Sequence, residues 1–189
     1  MNVLTDRTPN HVNLVVKAIR EGSILLYPTD TVYGIGCNIF SNNVKQVFEI
    51  KKRSLDKPFS IAVGNAGVML KYARLTKDQQ QFIESHLNEP YTFIVKKKSI
   101  VPYIVTAGSN NIGIRIMNHP LMTKILRKAD VPIIATSANL SGAPPPANVK
   151  DISEEIKSAC DLIADFGPCV FGKPSKVIDL TTGRVVREF

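Results

Sequence analysis

The sequence has only three cysteines, Cys37, Cys160 and Cys169, with no CxxC pair, and only three histidines, His11, His86 and His119, with no HxxxH pattern. An odd, scattered set of thiols argues against a disulfide framework, and without paired Cys/His spacing no zinc site is expected. The thiols are expected to stay reduced, as in a cytosol. No apolar run approaches the roughly 20 residues that span a bilayer. The longest runs, residues 24–27 and 131–135, have the length of buried strands. Residues 1–20 mix polar and charged side chains and lack the apolar centre of a signal peptide, so a soluble cytoplasmic protein is expected. An RRM-like aromatic stacking motif is also missing.

What is present fits one compact domain over residues 1–189, with 44% hydrophobic and 21% charged residues. Lys plus Arg number 24 and Asp plus Glu 16, a formal charge of +8. Such an excess favours polyanionic partners, nucleotides or RNA, and also serves simple solubility.

Periodicity supplies the elements. Val12, Val15, Val16 and Ile19 share a helical face that Gly22 should stop. Residues 23–27 and 33–37 read as strands, and Ser41 is placed to cap a helix burying Val44, Val47 and Phe48. Residues 59–63 form a further strand. Thr76 and Gln79 have capping-box spacing ahead of Phe82, Ile83 and Leu87. Strands follow at 91–95 and 112–116, then a helix opened by Pro120, a strand at 132–135, a helix around Ile152 and Ile156, and strands near 161–164, 176–180 and 184–187. Several strands succeed one another without a helix between, so the pattern predicts a mixed α/β fold, a twisted mixed sheet covered by helices. Residues 167–174 come close to a phosphate-binding P-loop. Pro174 stands where a hydroxyl should hold Mg²⁺, and a strand rather than a helix should follow, so turn chemistry is the better reading.

Three segments set polar residues at the ends of apolar strands. In the first, Pro28 ends a strand and leaves Thr29, Asp30 and Thr31 at its C-terminal edge, where α/β sheets bind ligands; a plain polar turn is the alternative. In the second, alternation along an extended segment puts Lys51 and Arg53 on one side, suited to gripping a triphosphate unless the run is a solvated helix end. In the third, Ser137 and Asn139 alternate after the strand at 132–135 and could face one ligand, or simply close a hydrogen-bonded turn.

Together, YPTDTVYGIGC (27–37), KKRSLDKPFSIAV (51–63), YTFIV (91–95), IGIRI followed by HP (112–120) and PIIATSANLSGAPP (132–145) resemble the YrdC-type threonylcarbamoyl-AMP synthase family, in order and over nearly the whole chain. The resemblance implies a YrdC-like fold in its short, single-domain form. It also implies a nucleotidyltransferase making threonylcarbamoyladenylate and pyrophosphate from L-threonine, bicarbonate and ATP, with Mg²⁺ accompanying the ATP. The product would go to a complex that modifies tRNA. Lys51, Arg53, Ser137 and Asn139 would form the tetrad around the phosphates. Thr29 would contact the threonine, Ser175 would lie on the threonine side, Thr31 would bind substrate, and Arg115 and Arg187 would be cavity arginines divided between nucleotide and threonine. Ser54, Asn88-Glu89 and Lys176 depart from the family pattern. The rival reading is a non-enzymatic module of the same fold that binds double-stranded RNA or tRNA. It draws on the net charge and on Lys96-Lys97-Lys98, although lysines beside a strand also protect edges.

Overall fold

The computed structural model describes residues 2–189; Met1, where the leader reading of residues 1–20 begins, lies outside them. The chain opens with β1 (Asn2–Thr5), α1 (His11–Glu21), β2 (Leu25–Tyr27), β3 (Gly34–Gly36) and α2 (Val44–Ile50). It continues through β4 (Ser60–Val63), α3 (Ala66–Tyr72), β5 (Ala73–Arg74), α4 (Lys77–Ser85), β6 (Tyr91–Lys97) and α5 (Tyr103–Thr106). The rest comprises β7 (Asn111–Ile116), α6 (Pro120–Ala129), β8 (Ile133–Ser137), a 3-10 turn (Val149–Asp151), α7 (Glu154–Ser158), β9 (Leu162–Asp165), β10 (Lys176–Asp179) and β11 (Arg184–Arg187). All the strands join one mixed sheet in the order β1-β9-β2-β3-β8-β4-β7-β6-β10-β11, with β5 beside β6. The expected mixed, helix-covered sheet is what forms.

Strand alternation divides the side chains between two cores. Leu26, Ile35, Ile61, Val63, Phe93, Val95, Ile112 and Ile114 point to one face, under α2, α3, α4, α5 and α7. Leu25, Tyr27, Ala62 and Ile133 point to the other, under α1 (Val15, Val16, Ile19) and α6 (Met122, Ile125, Leu126). This second helical layer leaves part of its face uncovered. Over β4, β7, β6 and β10 that face carries Ser60, Arg115, Thr92 and Val177, and a cavity opens there.

Local signals fix several ends as expected. Gly22 takes φ 82° and returns its N–H to Ile19 O, while Ser23 N–H reaches Ala18 O. The Thr76–Gln79 capping box forms, and Pro120 stands in the first turn of α6. Residues 167–174 lead into β10 rather than a helix, so the P-loop reading fails as expected. Gly36 answers a different need. A Cβ there would lie 2.2 Å from Ile134 O, so the approach of β3 to the 133–137 strand leaves no room for a side chain.

Three expectations need correction, and four short elements are added. Ser41 does not cap α2: its hydroxyl donates to Gly22 O and accepts from Asn43 N–H, and it thereby ties the two helix ends together. The helix expected around Ile152 and Ile156 breaks into the 3-10 turn and α7, which starts afresh because Ser153 accepts from Ile156 N–H. The 96–98 lysines guard no sheet edge, since β6 lies between β7 on one side and β10 and β5 on the other. Two of them are spent on carbonyls, Lys97 on Val101 O and Lys98 on Leu70 O. Finally, β1, α3, β5 and α5 were not foreseen. They hold two to seven residues each, too few for a period to show.

Candidate active site

The cavity, about 230 Å³, is walled by the turn after β2, the loop after α2, the end of β8 and the segment before β10. Its first wall is a turn built by a threonine hydroxyl. Thr29 Oγ1 donates to Val32 O and accepts from the N–H groups of Thr31 and Val32, so the side chain closes the turn that Pro28 begins. Thr31 Oγ1 lies 2.9 Å from Thr29 Oγ1 and accepts from Arg115 at 2.8 Å. Arg115, from β7, also binds the Asp30 carboxylate. Both members of that ion pair are buried, and the Arg115 Nε–H has no partner. Asp30 thus holds an arginine in place. Behind the same turn, Phe171 and Gly172 donate their N–H groups to Asp30 O and Thr31 O.

Across the cavity the Thr92 and Ser175 hydroxyls are 2.8 Å apart, and both are buried. Arg187, on edge strand β11, donates to Ser175 O at 2.9 Å and to Ser175 Oγ at 3.2 Å. Burial, then the charge of Arg115, hold the Arg187 pKa below its ordinary range. Two guanidiniums that repel one another across a cavity are a receptor for negative charge. His119 caps α6 with Nδ1, and burial lowers its pKa against the opposing pull of Asp30, so it stays neutral near pH 7.

The basic segment has a different geometry from the one expected. Lys51, Lys52 and Arg53 do not extend; they terminate α2. Lys52 takes φ 49°, Lys52 N–H reaches Glu49 O, and Arg53 N–H reaches Phe48 O. That pattern is a Schellman end, with a lysine in the left-handed position glycine usually fills. The reversal sends the two side chains apart. Arg53 lines the cavity, donates to Lys57 O and Pro58 O, and lies over the Phe59 ring at 5.2 Å. Lys51 is buried outside the cavity, its ammonium on Ser137 O and Asn139 O.

The Ser137/Asn139 alternation also breaks. Ser137 is the last residue of β8 and lines the cavity. Asn139 lies beyond the strand, and its amide donates to Leu140 O and Ala143 O, closing the turn that was the plainer alternative. Of the nine residues singled out in the sequence, Thr29, Thr31, Arg53, Arg115, Ser137, Ser175 and Arg187 line one cavity, and Lys51 and Asn139 stand behind it. Sequence reasoning passed over Tyr27, Ser60 and Thr92, which also line it. A signal existed for two of them: Ser60 and Thr92 are polar residues on the non-core phase of otherwise apolar strands. Among the described residues no group of three or more His, Cys, Asp or Glu side chains is gathered to hold a metal, and no helix is long and apolar enough to cross a membrane.

Comparison with known proteins identifies the family and the fold. The profile of the Sua5/YciO/YrdC family, described as "Telomere recombination", matches residues 17–188. A Methanocaldococcus jannaschii relative is 36% identical over 171 residues, covering 90% of this chain and 80% of its own. Threonylcarbamoyl-AMP synthases of Pyrococcus abyssi and Vibrio campbellii are 31% and 28% identical, and this chain covers 51% and 96% of them. The chain therefore spans about half the length of the P. abyssi protein. Among solved structures, P. abyssi Sua5 complexed with L-threonine superposes with a TM-score of 0.87 at 30% identity, over 95% of this chain and 54% of that one. Escherichia coli YciO superposes with a TM-score of 0.86 at 26% identity, over 99% and 94%.

Proposed function

The chain belongs to the Sua5/YciO/YrdC family, and from that premise we propose that it is a threonylcarbamoyl-AMP synthase. It joins L-threonine, bicarbonate and ATP into threonylcarbamoyladenylate and releases pyrophosphate. The observation that carries this reading is the balance of charge in the cavity. Arg53, Arg115 and Arg187 line it, and Asp30 pairs with only one of them, so positive charge is in excess. A triphosphate and a carboxylate-bearing amino acid are the ligands that such a surplus suits.

The chemistry needs no covalent nucleophile. The threonine amine attacks the carbon of bicarbonate and water leaves, giving a carbamate. A carbamate oxygen then attacks the α-phosphate, and pyrophosphate departs with the bonding electron pair. What the protein supplies is position and charge. Arg53 and Ser137 are the residues we assign to the phosphates. Ser175, Thr92 and Arg187 form the wall we assign to threonine, offering hydroxyls to its hydroxyl and a guanidinium to its carboxylate. Thr29 shapes that pocket through the turn it closes, and Thr31 and Arg115 stand between the two sides.

Mg²⁺ fits as a companion of ATP. Magnesium takes few protein carboxylates and keeps phosphate and water oxygens; with Asp30 tied to Arg115, the phosphate oxygens are the natural ligands. When bound it would neutralise phosphate charge. The adenylate product is a reactive mixed anhydride, which suits immediate consumption by a tRNA-modification complex in the cytoplasm. Contact with tRNA itself would be a second property, favoured by the net charge of +8. The test is incubation with ATP, bicarbonate and each amino acid in turn, reading pyrophosphate and the carbamoyl adenylate. No adenylate with threonine would overturn the proposal.

A further inference from the structure

Lys51 makes its contacts with one segment. It ends α2, is 2% exposed, and donates from its ammonium to Ser137 O and, at 2.6 Å, to Asn139 O. Its own carbonyl accepts from the N–H and the hydroxyl of Ser141, both at 3.0 Å. One residue therefore grips the 137–141 segment at four points, across the wall that Ser137 presents to the cavity. The acceptors are neutral carbonyls. Burial, and then neighbouring Arg53, push the lysine pKa down to about 8, and no carboxylate counters them. Lys52 beside it turns outward to Glu155, and residues 137–141 bring no charge. A buried ammonium without a counter-ion is a costly way to satisfy two carbonyls. Its retention calls for a return at the site it braces.

We infer that Lys51 is a positioning residue rather than a phosphate ligand: it clamps the Ser137 and Asn139 carbonyls, and so fixes the end of β8 where Ser137 faces the cavity. The catalytic consequence rests on the synthase reading; the clamp itself does not. Held this way, the end of β8 is set before any ligand arrives, which is the preorganisation that electrostatic catalysis requires. The buried ammonium is held at a cost, so loss of its proton should relieve that cost and leave an amine whose two N–H groups can still serve both carbonyls.

The test is amide hydrogen exchange at Ala138 and Ser141, whose N–H groups bond to Tyr33 O and Lys51 O, in wild type, Lys51→Met and Lys51→Arg. Pyrophosphate binding is measured by calorimetry on the same samples. Lys51→Met should exchange both amides about tenfold faster while the Ile134 amide in the sheet keeps its protection. Lys51→Arg should stay close to wild type, because a guanidinium can serve two carbonyls. Protection in wild type should rise between about pH 8 and about pH 10.5, where the folded lysine has lost its proton and the opened one still keeps it, and should not rise in Lys51→Arg. Unchanged exchange in Lys51→Met together with lost pyrophosphate affinity would make Lys51 a direct phosphate ligand and overturn the inference. If Lys51→Met does not fold, an identical pH response in wild type and Lys51→Arg overturns it alone. A wild-type protein that binds pyrophosphate but forms no adenylate would refute the synthase activity and leave the clamp standing.

Discussion

Asp30 and Arg115 meet as an ion pair inside the protein, their side chains 6% and 8% exposed, and so lock the turn after β2 to the C-terminal end of β7. Removing one member of a buried pair leaves the other charged and unpaired. Asp30→Ala should therefore cost about 3–5 kcal/mol in urea unfolding, well above an ordinary surface substitution. Asp30→Asn, which still accepts a hydrogen bond, should cost distinctly less. Equal, small losses for both would mean that water reaches the guanidinium.

Arg53→Ala should lower adenylate synthesis about a hundredfold, on the order of 3 kcal/mol, at saturating threonine and bicarbonate. The thermal midpoint should move only slightly, since the side chain bonds two loop carbonyls and covers one face of Phe59. Arg53→Lys should recover part of the loss. Near wild-type pyrophosphate release by Arg53→Ala would remove Arg53 from the reaction.

Threonine should be preferred to valine, because buried hydroxyls left unpaired by an analogue penalise its binding. Ser175 Oγ and Thr92 Oγ1 are such a pair. Ser175→Ala should narrow the ratio of kcat/KM values for the two amino acids. A ratio that does not change places the selective hydroxyl elsewhere.

The three thiols should be inert in the native state. Burial first, and neighbouring acids second, push Cys37 and Cys160 up to about 12, and burial pushes Cys169 up to about 11. A folded pKa above the unfolded value means that the native state keeps its proton. The stability this contributes is complete below about pH 9 and is lost as pH rises towards 11–12. Native protein at about pH 8 should react with an aromatic disulfide reagent at least roughly a hundredfold more slowly than protein in guanidinium. Rapid native labelling would show that one of the thiols opens to solvent.

Two backbone positions give opposite expectations. Ala107 occupies the left-handed region at φ 48°, after the short helix α5. Ala107→Gly should stabilise by about 0.5–1 kcal/mol, or roughly 1–4 °C in the thermal midpoint. Gly36→Ala drives a methyl onto Ile134 O and should destabilise by about 3 kcal/mol or more. Calorimetry on the two variants checks both signs.

Much of the site could be read in the sequence because it follows strand ends. Thr29, Thr31 and Ser137 are polar residues at the ends of apolar strands, and each lines the cavity, as do Arg115 and Arg187, which only the family resemblance singled out. The directions of Lys51 and Asn139 were not legible. Alternation assumes an extended chain, and Lys52 in the left-handed region breaks that assumption without the glycine that would have announced it. The capping box of α4 was legible because both of its partners lie in one turn. Ser41 was misread because its partner, Gly22 O, belongs to a distant turn that spacing alone does not reveal.

The position of β9 between β1 and β2 has a consequence for synthesis. The N-terminal strands find their central neighbour only when the last quarter of the chain emerges: the Ile24 N–H waits for the Asp161 carboxylate, 137 residues later. At ribosomal rates that delay is on the order of ten seconds. Leu25 and Leu26, fully buried in the finished protein, spend it beside an open strand edge. Nascent chains stalled before residue 160 should therefore recruit holding chaperones, and chains released past residue 165 should not.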